Sequence, residues 1–487
     1  MAGRRLVAGV DSSTQSTKVV IVDVDTGEVL EEASAPHHPD ISGDAAEDDP
    51  ERWWTALREA LAACSHAGGI SAIGVGAQQR GLVVSGEGST ALRRAVLWCD
   101  ARSVGDAADM TTSLGGPGPA AEMIGVPPQP AYTGVLWHWL RRTDHDLVDR
   151  VERIHQPHGW LVWRLTGAHT IDPGDASTTT WWSTTSGDYV DAVLDLPGMQ
   201  VDRALLPQVL PSSAAAGEVT PEAAQALGIP AGSVVSVGTG DNPAAALPLV
   251  DRVGDLVMSL GTSGTLFTRT TEPSVDPSAV VLGNASAEGD FLPLVCVINC
   301  TRAVDQVART LGLGRDDVAP SSDGVVSLPY LIGEWTPQRP SARGLVYGMT
   351  ATTSREQILR ATYEGVIWSL LSGLEDVRAQ IPGGGEDPRL RIIGGGARSS
   401  VWPRIAANLW GGPVRVPRPM EFVALGAAMS AAAALTGEDY ATLRARWDIG
   451  ADDVEVVPDS DASSDPSGRI AEVVAATAEL MALRPPV

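Results

Sequence analysis

The sequence predicts an α/β fold assembled from two copies of one unit, and three observations lead there. The chain has 487 residues, more than one hydrophobic core usually serves. Its first hundred residues alternate apolar strand-like runs with a helical pattern. A distinctive unit, apolar strand, hydroxyl-rich tip, apolar strand, opens at Leu6 and returns at Asp255. The boundary between the halves is therefore expected near residues 245–255. The division is 1–248 and 249–440, followed by an acidic extension over 441–487 with a short helix.

The first unit runs from Leu6–Val10 through Asp11, a stretch of hydroxyl residues and Gln15, to Lys18 and the strand Val19–Val22. Lys18 is the only lysine in the chain. A third strand is expected over Glu28–Ser34, then a loop from Pro36 to Asp49. Pro50 opens a helix, where its missing N–H costs nothing. Trp53, Trp54, Leu57, Ala60, Leu61 and Cys64 share one face of that helix and are read as core. Ile70–Ala77 returns to strand and ends in Gln78-Gln79-Arg80-Gly81. Leu136–Thr166 carries Trp137, Trp139, Trp160 and Trp163 in helical patterns, and Asp172–Thr180 reads as a polar loop. A buried strand over Ser233–Gly238 delivers Thr239-Gly240-Asp241-Asn242-Pro243, and the proline indicates a turn into a helix over Ala244–Leu249.

In the second half the strand Asp255–Leu260, the turn Gly261-Thr262-Ser263-Gly264 and the strand Thr265–Thr268 repeat the opening design. Gly261 and Gly264 are expected to supply positive φ for a close backbone approach. Ser354 with Gln357 forms a capping box for a helix from about Arg355 to Gln380, ended by Ile381-Pro382-Gly383-Gly384-Gly385. The strand Leu390–Ile393 leads into Gly394-Gly395-Gly396-Ala397-Arg398-Ser399-Ser400 and a helix through Trp410, with Gly411 as its stop.

Composition narrows the function classes. Hydrophobic residues make up 44% and charged residues 20%, an ordinary globular balance. A formal charge of −25 argues against nucleic acid, whose phosphates require a cationic surface. Four scattered cysteines do not make a disulfide framework, and Cys296 and Cys300 are read as buried thiols rather than metal ligands. No signal-like or spanning apolar segment stands out, so no membrane partner and a cytoplasmic location are expected. A homodimer stays open beside a monomer.

Two stations carry chemistry on the residues alone. The first hairpin tip offers hydroxyls, backbone N–H groups and an ammonium beside Asp11, a set suited to a polyphosphate with Mg²⁺. The alternative is a polar turn on an edge hairpin. The glycine turn between strand and helix at residues 394–400 matches a nucleotide cradle. Equally, three glycines can serve close strand–helix packing. Neither GxGxxG spacing nor a P-loop lysine is present there.

Taken in order, Asp11 to Lys18, Gly240-Asp241-Asn242, Gly261 to Gly264 and Gly394 to Ser400 resemble the FGGY carbohydrate kinases, most of all the xylulose kinases. Leu97-Trp98-Cys99-Asp100-Ala101-Arg102, Gly174-Asp175-Ala176-Ser177, Pro329-Tyr330-Leu331, Gly344 to Gly348 and Tyr363-Glu364-Gly365 match as well. The resemblance runs from Leu6 to about Leu435. It implies two ribonuclease-H-like domains of the actin and hexokinase type, closing on a central cleft. ATP and Mg²⁺ would be the cofactors, and a small sugar the partner. It further implies Asp11 on the Mg²⁺ side, with Thr14, Gln15, Ser16 and Lys18 facing the β- and γ-phosphates and Thr262 opposite them. Gly395, Gly396 and Ser400 would lie against the adenosine. Asp241 would be the catalytic base, with Asn242, Gln79 and Arg80 around the sugar. The structural alternative for Asp241 is an N-cap ahead of Ala244.

The expected activity is ATP-dependent phosphorylation of a ketopentose at its terminal hydroxyl, D-xylulose first. Alternatives are ribulose, gluconate, glycerol or polyol phosphorylation, a low-activity paralogue, or an actin-like nucleotide switch without sugar chemistry. Three positions depart from the xylulose kinase pattern. Arg80 stands where a histidine is usual, Leu136 where a lysine is usual, and Glu334-Trp335 replaces a glutamate–arginine pair. Arginine only donates and stays charged; the departures are read either as compensated drift, one cation lost and another regained nearby, or as altered specificity toward a different ketose, a polyol or a sugar acid.

Overall fold

A computed structural model describes residues 4–88, 90–379, 388–459 and 466–482. The first half contains β1 (Leu6–Ser12), β2 (Ser16–Asp23), β3 (Val29–Pro36), α1 (Pro50–Ala62), β4 (Ile70–Ala77), α2 (Thr133–Thr143) and α3 (Pro157–Thr166). It continues with β5 (Ala215–Glu218), β6 (Val234–Ser236), the two-residue β7 (Thr239–Gly240) and α4 (Asp241–Leu249). The second half contains β8 (Leu256–Leu260), β9 (Gly264–Thr268), β10 (Leu282–Ala285), β11 (Phe291–Val297), α5 (Arg355–Ala379), β12 (Leu390–Ile393) and α6 (Val401–Trp410). It closes with β13 (Val414–Val416), α7 (Phe422–Thr436), α8 (Tyr440–Trp447) and β14 (Val454–Val456).

The duplication read from the two hairpins is visible in the sheets. In the first, β3, β2 and β1 run antiparallel in that order, and β4 and β6 follow parallel to β1, with β5 at the edge. In the second, β11, β9 and β8 run antiparallel, and β12 and β13 follow parallel to β8. Here β10 and β14 form the edges. Each half is thus the same mixed five-strand arrangement with its hairpin at the centre.

Local signals hold at several elements. Asp49 caps α1 by accepting from Glu51 N at 3.1 Å, and Pro50 sits in its first turn. The tryptophan stripe of α1 is buried. The capping box closes both ways, with Ser354 N donating to Gln357 Oε1 at 2.8 Å and Gln357 N to Ser354 Oγ at 3.2 Å. Gly411 ends α6 at φ 74°. The glycine stop of α5 falls outside the described residues.

Other elements differ from expectation. The loop over 36–49 contains a small hairpin, Asp40–Ser42 with Ala45–Asp48. Asp172–Thr180 holds a helical turn, Pro173–Ala176, and is buried apart from the half-buried Pro173. Beyond 440, α8 buries Tyr440, Leu443 and Trp447, and β14 pairs with β13, so this segment belongs to the folded body. No described helix is long and apolar enough to cross a membrane.

Helix α7 joins the two halves. It lies late in the chain yet packs on β1 and β4 of the first sheet and on α4. Its Ala- and Gly-rich sequence is apolar around most of its circumference, as expected of a helix enclosed on all sides. The approach is backbone to backbone. A Cβ at Gly9 of β1 would sit 1.9 Å from the Ala424 carbonyl oxygen, and one at Gly74 of β4 would sit 2.1 Å from that of Ala427. A Cβ at Gly426 of α7 would meet the Ala244 carbonyl oxygen of α4 at 1.8 Å. Arg444 Nη1 bonds the Leu247 carbonyl at 2.6 Å, and Arg391 bonds that of Leu249, so the end of α4 is held by residues of the second half.

Gly426→Ala is expected to lower stability by about 3 kcal/mol or more, because neither backbone can yield. Gly68→Ala, at a site with nothing within 4 Å, is expected to stay within about 0.5 kcal/mol. Urea unfolding of both variants measures the contrast.

Candidate active site

The ends of the central strands of the first sheet assemble the site. Asp11 and Lys18 stand opposite each other in the β1–β2 pairing, so their side chains share a face. Lys18 Nζ lies 3.3 Å from Asp11 Oδ2 and 2.7 Å from Glu421 Oε2, the residue just before α7. Asp11 is buried, and its Oδ1 accepts no hydrogen bond among the described residues. Burial raises the Asp11 carboxyl above its usual range, against the opposing pull of Lys18. Ser13 Oγ donates to the Ser16 carbonyl at 2.9 Å and shapes the tip. Thr14 and Ser16 are half-buried and Gln15 is exposed. Thr14 Oγ1 also accepts from Trp98 Nε1 at 3.0 Å.

Beside this tip, β7 pairs parallel with β4, Thr239 with Gly76 and Gly240 with Ala77. That register brings Asp241 and Asn242 alongside Gln79 and Arg80. Asp241 is not a cap; Gly240 is, and Asp241 is the first residue of α4. Its Oδ1 accepts from Asn242 N at 2.8 Å and from Asn242 Nδ2 at 2.9 Å. No described residue donates to Oδ2. The carboxyl is pushed up to about 7, by burial first and then by the charges of Asp11 and Asp175. The Asn242 N–H and the Arg80 charge act against that rise. Although half-buried, Asp241 is ringed closely enough by protein that lost hydration outweighs these charges.

Gln79 bridges Asn242 Nδ2 at 3.1 Å and Asp175 Oδ1 at 3.1 Å. Arg80 adopts φ 66°, and its N–H donates to Gln156 Oε1 at 3.1 Å. Its guanidinium carbon lies 4.8 Å from the centre of the Tyr132 ring and 5.9 Å from that of Trp335. The second half closes on this corner. Cys296 of β11 is pushed up to about 11 by burial and senses the charges of Arg80, Glu334 and Asp241. Glu334 is committed to the fold, accepting from Ile298 N at 2.6 Å and Asn299 Nδ2 at 3.0 Å. Leu136 is fully buried in the core, so of the three departures only Arg80 and Trp335 meet in the cleft.

The remaining candidates gather on the second sheet. Thr262 is exposed at the tip of the β8–β9 hairpin. Gly261 and Gly264 do not use positive φ; a Cβ at Gly264 would instead meet Val297 Cγ2 at 2.9 Å, so the need there is space. Gly394 does use it, at φ 87°, with a Cβ blocked by the Leu260 carbonyl oxygen at 2.7 Å. Gly396 presses on the Leu260 side chain, whereas Gly395 faces open space. Tight packing thus accounts for Gly394 and Gly396, and open space lies at Gly395 of the same turn. Ser400 is exposed and stands just before α6, with no capping hydrogen bond from its side chain.

Sequence reasoning did not single out Glu421, Trp98, Tyr132 or the His158–Asp175 pair. Trp98 and Asp175 stood in matching stretches, without an assigned part. Glu421 is 403 residues from Lys18 and gave no local signal.

Family models for the FGGY carbohydrate kinases match residues 6–248 as the N-terminal domain and 256–435 as the C-terminal domain. The xylulose kinase of Streptomyces rubiginosus is 43% identical over 452 residues, covering 92% of this chain and 91% of that protein. The crystal structure of xylulose kinase from Bifidobacterium adolescentis aligns with a TM-score of 0.79 at 31% identity, covering 96% of this chain and 99% of that one. A gluconate kinase structure from Lactobacillus acidophilus shares the fold, with a TM-score of 0.88 at 21% identity over 98% of this chain and 99% of that one. Two sheets of one topology, a hydroxyl-tipped hairpin in each and an acid where the halves meet agree with those matches: the chain belongs to the FGGY family of carbohydrate kinases.

Proposed function

We propose that this cleft transfers the γ-phosphoryl group of ATP to the terminal hydroxyl of a ketopentose, with D-xylulose the first candidate. The observation that carries the reading is Asp241. It has one oxygen tied down and the other free, it is raised to about 7, and it lies near both Asp11 and Arg80. An alcohol is a poor nucleophile, and a carboxylate in reach can take its proton as the bond to phosphorus forms. The xylulose kinases of Streptomyces and Bifidobacterium support the choice of sugar.

In this reading residues 1–248 carry the acceptor and the first phosphate hairpin, and residues 249–440 the second hairpin and the adenosine. Thr14, Gln15, Ser16 and Lys18 hold the β- and γ-phosphates, with Thr262 facing them. Gly395, Gly396 and Ser400 line the adenosine. Mg²⁺ fits beside Asp11, whose buried Oδ1 is an acceptor without a donor, as a hydrated divalent cation requires. When bound there it offsets phosphate charge. Lys18 is drawn toward entering phosphate from its present partners Asp11 and Glu421. Closure of the halves keeps water from the γ-phosphate.

A second reading has one observation in its favour. The Arg80 guanidinium, stacked on Tyr132 and near Trp335, makes no side-chain hydrogen bond to a described residue and stands where an acceptor enters. An acceptor bearing a carboxylate, such as an aldonate, would satisfy it.

ADP release followed with ATP, Mg²⁺ and a panel of ketoses, polyols and aldonates tests both readings. Turnover is expected with D-xylulose, and no acceptor-dependent release across the panel would end the proposal. Arg80→His is expected to sharpen ketose use over aldonate use; an unchanged profile would show that Arg80 does not read the acceptor. Asp241→Ala is expected to cut kcat by ~10²–10⁴-fold while ATP binding, followed by calorimetry, stays intact.

The raised Asp241 also sets a pH dependence of stability. An acid whose folded value exceeds its unfolded one, ~4, costs nothing below that pH, because both states hold the proton. The cost grows as pH rises toward 7 and is complete above it. Asp241→Asn is therefore expected to match the native protein near pH 4 and to exceed it above pH 7 by up to roughly 4 kcal/mol in urea unfolding.

A further inference from the structure

We propose that the buried His158–Asp175 pair sets the direction of a hydrogen-bond chain through Gln79 and Asn242. That direction decides which atoms of Asp241 and Asn242 meet the acceptor alcohol. The inference rests on the kinase reading of the cleft, and it assigns His158 and Asp175 as positioning residues.

The chain begins in the core. His158, in the first turn of α3, and Asp175, in the turn Pro173–Ala176, are both fully buried and bonded to each other through Nδ1 and Oδ2. Burial alone would lower the imidazole, yet the Asp175 charge raises it above its usual value. Asp175 Oδ1 receives Gln79 Nε2 at 3.1 Å. A carboxylate with a donor on each oxygen has no hydrogen to give. Gln79 must therefore turn its NH₂ toward Asp175 and its carbonyl Oε1 the other way, where Asn242 Nδ2 donates to it at 3.1 Å. The second hydrogen of Asn242 Nδ2 goes to Asp241 Oδ1 at 2.9 Å, which also takes Asn242 N at 2.8 Å.

Both amide hydrogens of Asn242 are then spent, and its Oδ1 is presented as an acceptor. Asp241 Oδ1 is filled, and Oδ2 is the atom left to take a proton. The alcohol meets two acceptors side by side, one for the attacking hydroxyl and one for the hydroxyl on the next carbon. An inverted chain would present NH₂ at the second place, where that hydroxyl would have to accept instead of donate.

Two further observations belong to this device. A Cβ at residue 240 would sit 2.2 Å from Asp175 Oδ1 and 2.3 Å from Gln79 Cγ, so only glycine lets the chain pass to Asp241. Asp172 accepts from Gly174 N at 2.9 Å, Asp175 N at 3.1 Å and Thr239 Oγ1 at 2.5 Å, pinning the turn to β7. The ligand atoms of His158, Asp172 and Asp175 lie within 4.8 Å of one another, but both carboxylates are already committed to protein donors.

A neutron structure of the free protein reads the chain without turnover. Deuterium is expected on Gln79 Nε2 toward Asp175 and on Asn242 Nδ2 toward both Gln79 and Asp241; the reverse orientation of either amide overturns the proposal. Kinetics read its consequence. Asp175→Asn keeps the shape but can donate to Gln79, and is expected to lower kcat/KM for the acceptor on the order of 10- to 100-fold while leaving KM for ATP unchanged. Gln79→Met breaks the chain while leaving the His158–Asp175 bond in place, and is expected to act similarly. The double variant is expected to be no worse than either alone, since both act through one chain. Effects that multiply, or an Asp175→Asn protein with native acceptor kinetics, overturn it. A native protein without acceptor-dependent ADP release fails the kinase reading instead, and the neutron arm still decides the chain.

Discussion

Direct backbone contact of α7 with the first sheet and with α4 is the constraint from which the rest of the site follows. Gly9 and Gly74 remove the side chains that would hold the helix off the sheet, and Gly426 does the same toward α4. These seams lie close in sequence to the chemistry. Gly9 precedes Asp11 on β1, Gly74 precedes Gln79 beyond β4, Ala244 follows Asp241 on α4, and Gly426 follows Glu421 at the start of α7. With the four backbones locked at van der Waals range, the four polar groups have little freedom to separate. A helix from the far end of the chain thereby fixes these four groups, three of which come from the first half.

The electrostatics explain why such locking is needed. Asp241 feels the charges of Asp11 and Asp175 in a partly dry corner of a protein that is already strongly anionic. Left to relax, like charges move apart or draw in water. Here Lys18, the Arg80 guanidinium and the amides of Gln79 and Asn242 hold them in place, while burial keeps the Asp11 and Asp241 carboxyls raised. An arriving cation and polyphosphate would change every one of these balances, so ligand binding and charge state are linked in this cleft.

Arg80 and Trp335 belong to one change. The cation sits against Tyr132 and faces Trp335 from the opposite half, an arrangement in which the aromatic faces stabilise the charge in place of a carboxylate. Glu334, next to Trp335, is turned inward onto backbone N–H groups and is not free to pair with Arg80. Leu136 took no part, because its helix presents that position to the core.

Local patterns in the sequence were enough for the paired hairpins, the capping box, the core face of α1 and the α/β class. Each depends on spacing within one segment, where side-chain period and capping chemistry act directly. Only the tertiary structure decided that Glu421 meets Lys18, that Asp241 begins α4 rather than capping it, and that Gly264 serves packing rather than φ. It also decided that Arg80 faces Trp335 and that a buried histidine stands behind Gln79. Apart from the start of α4, those relations join residues tens to hundreds of positions apart, a property that residue spacing along one strand or helix does not encode.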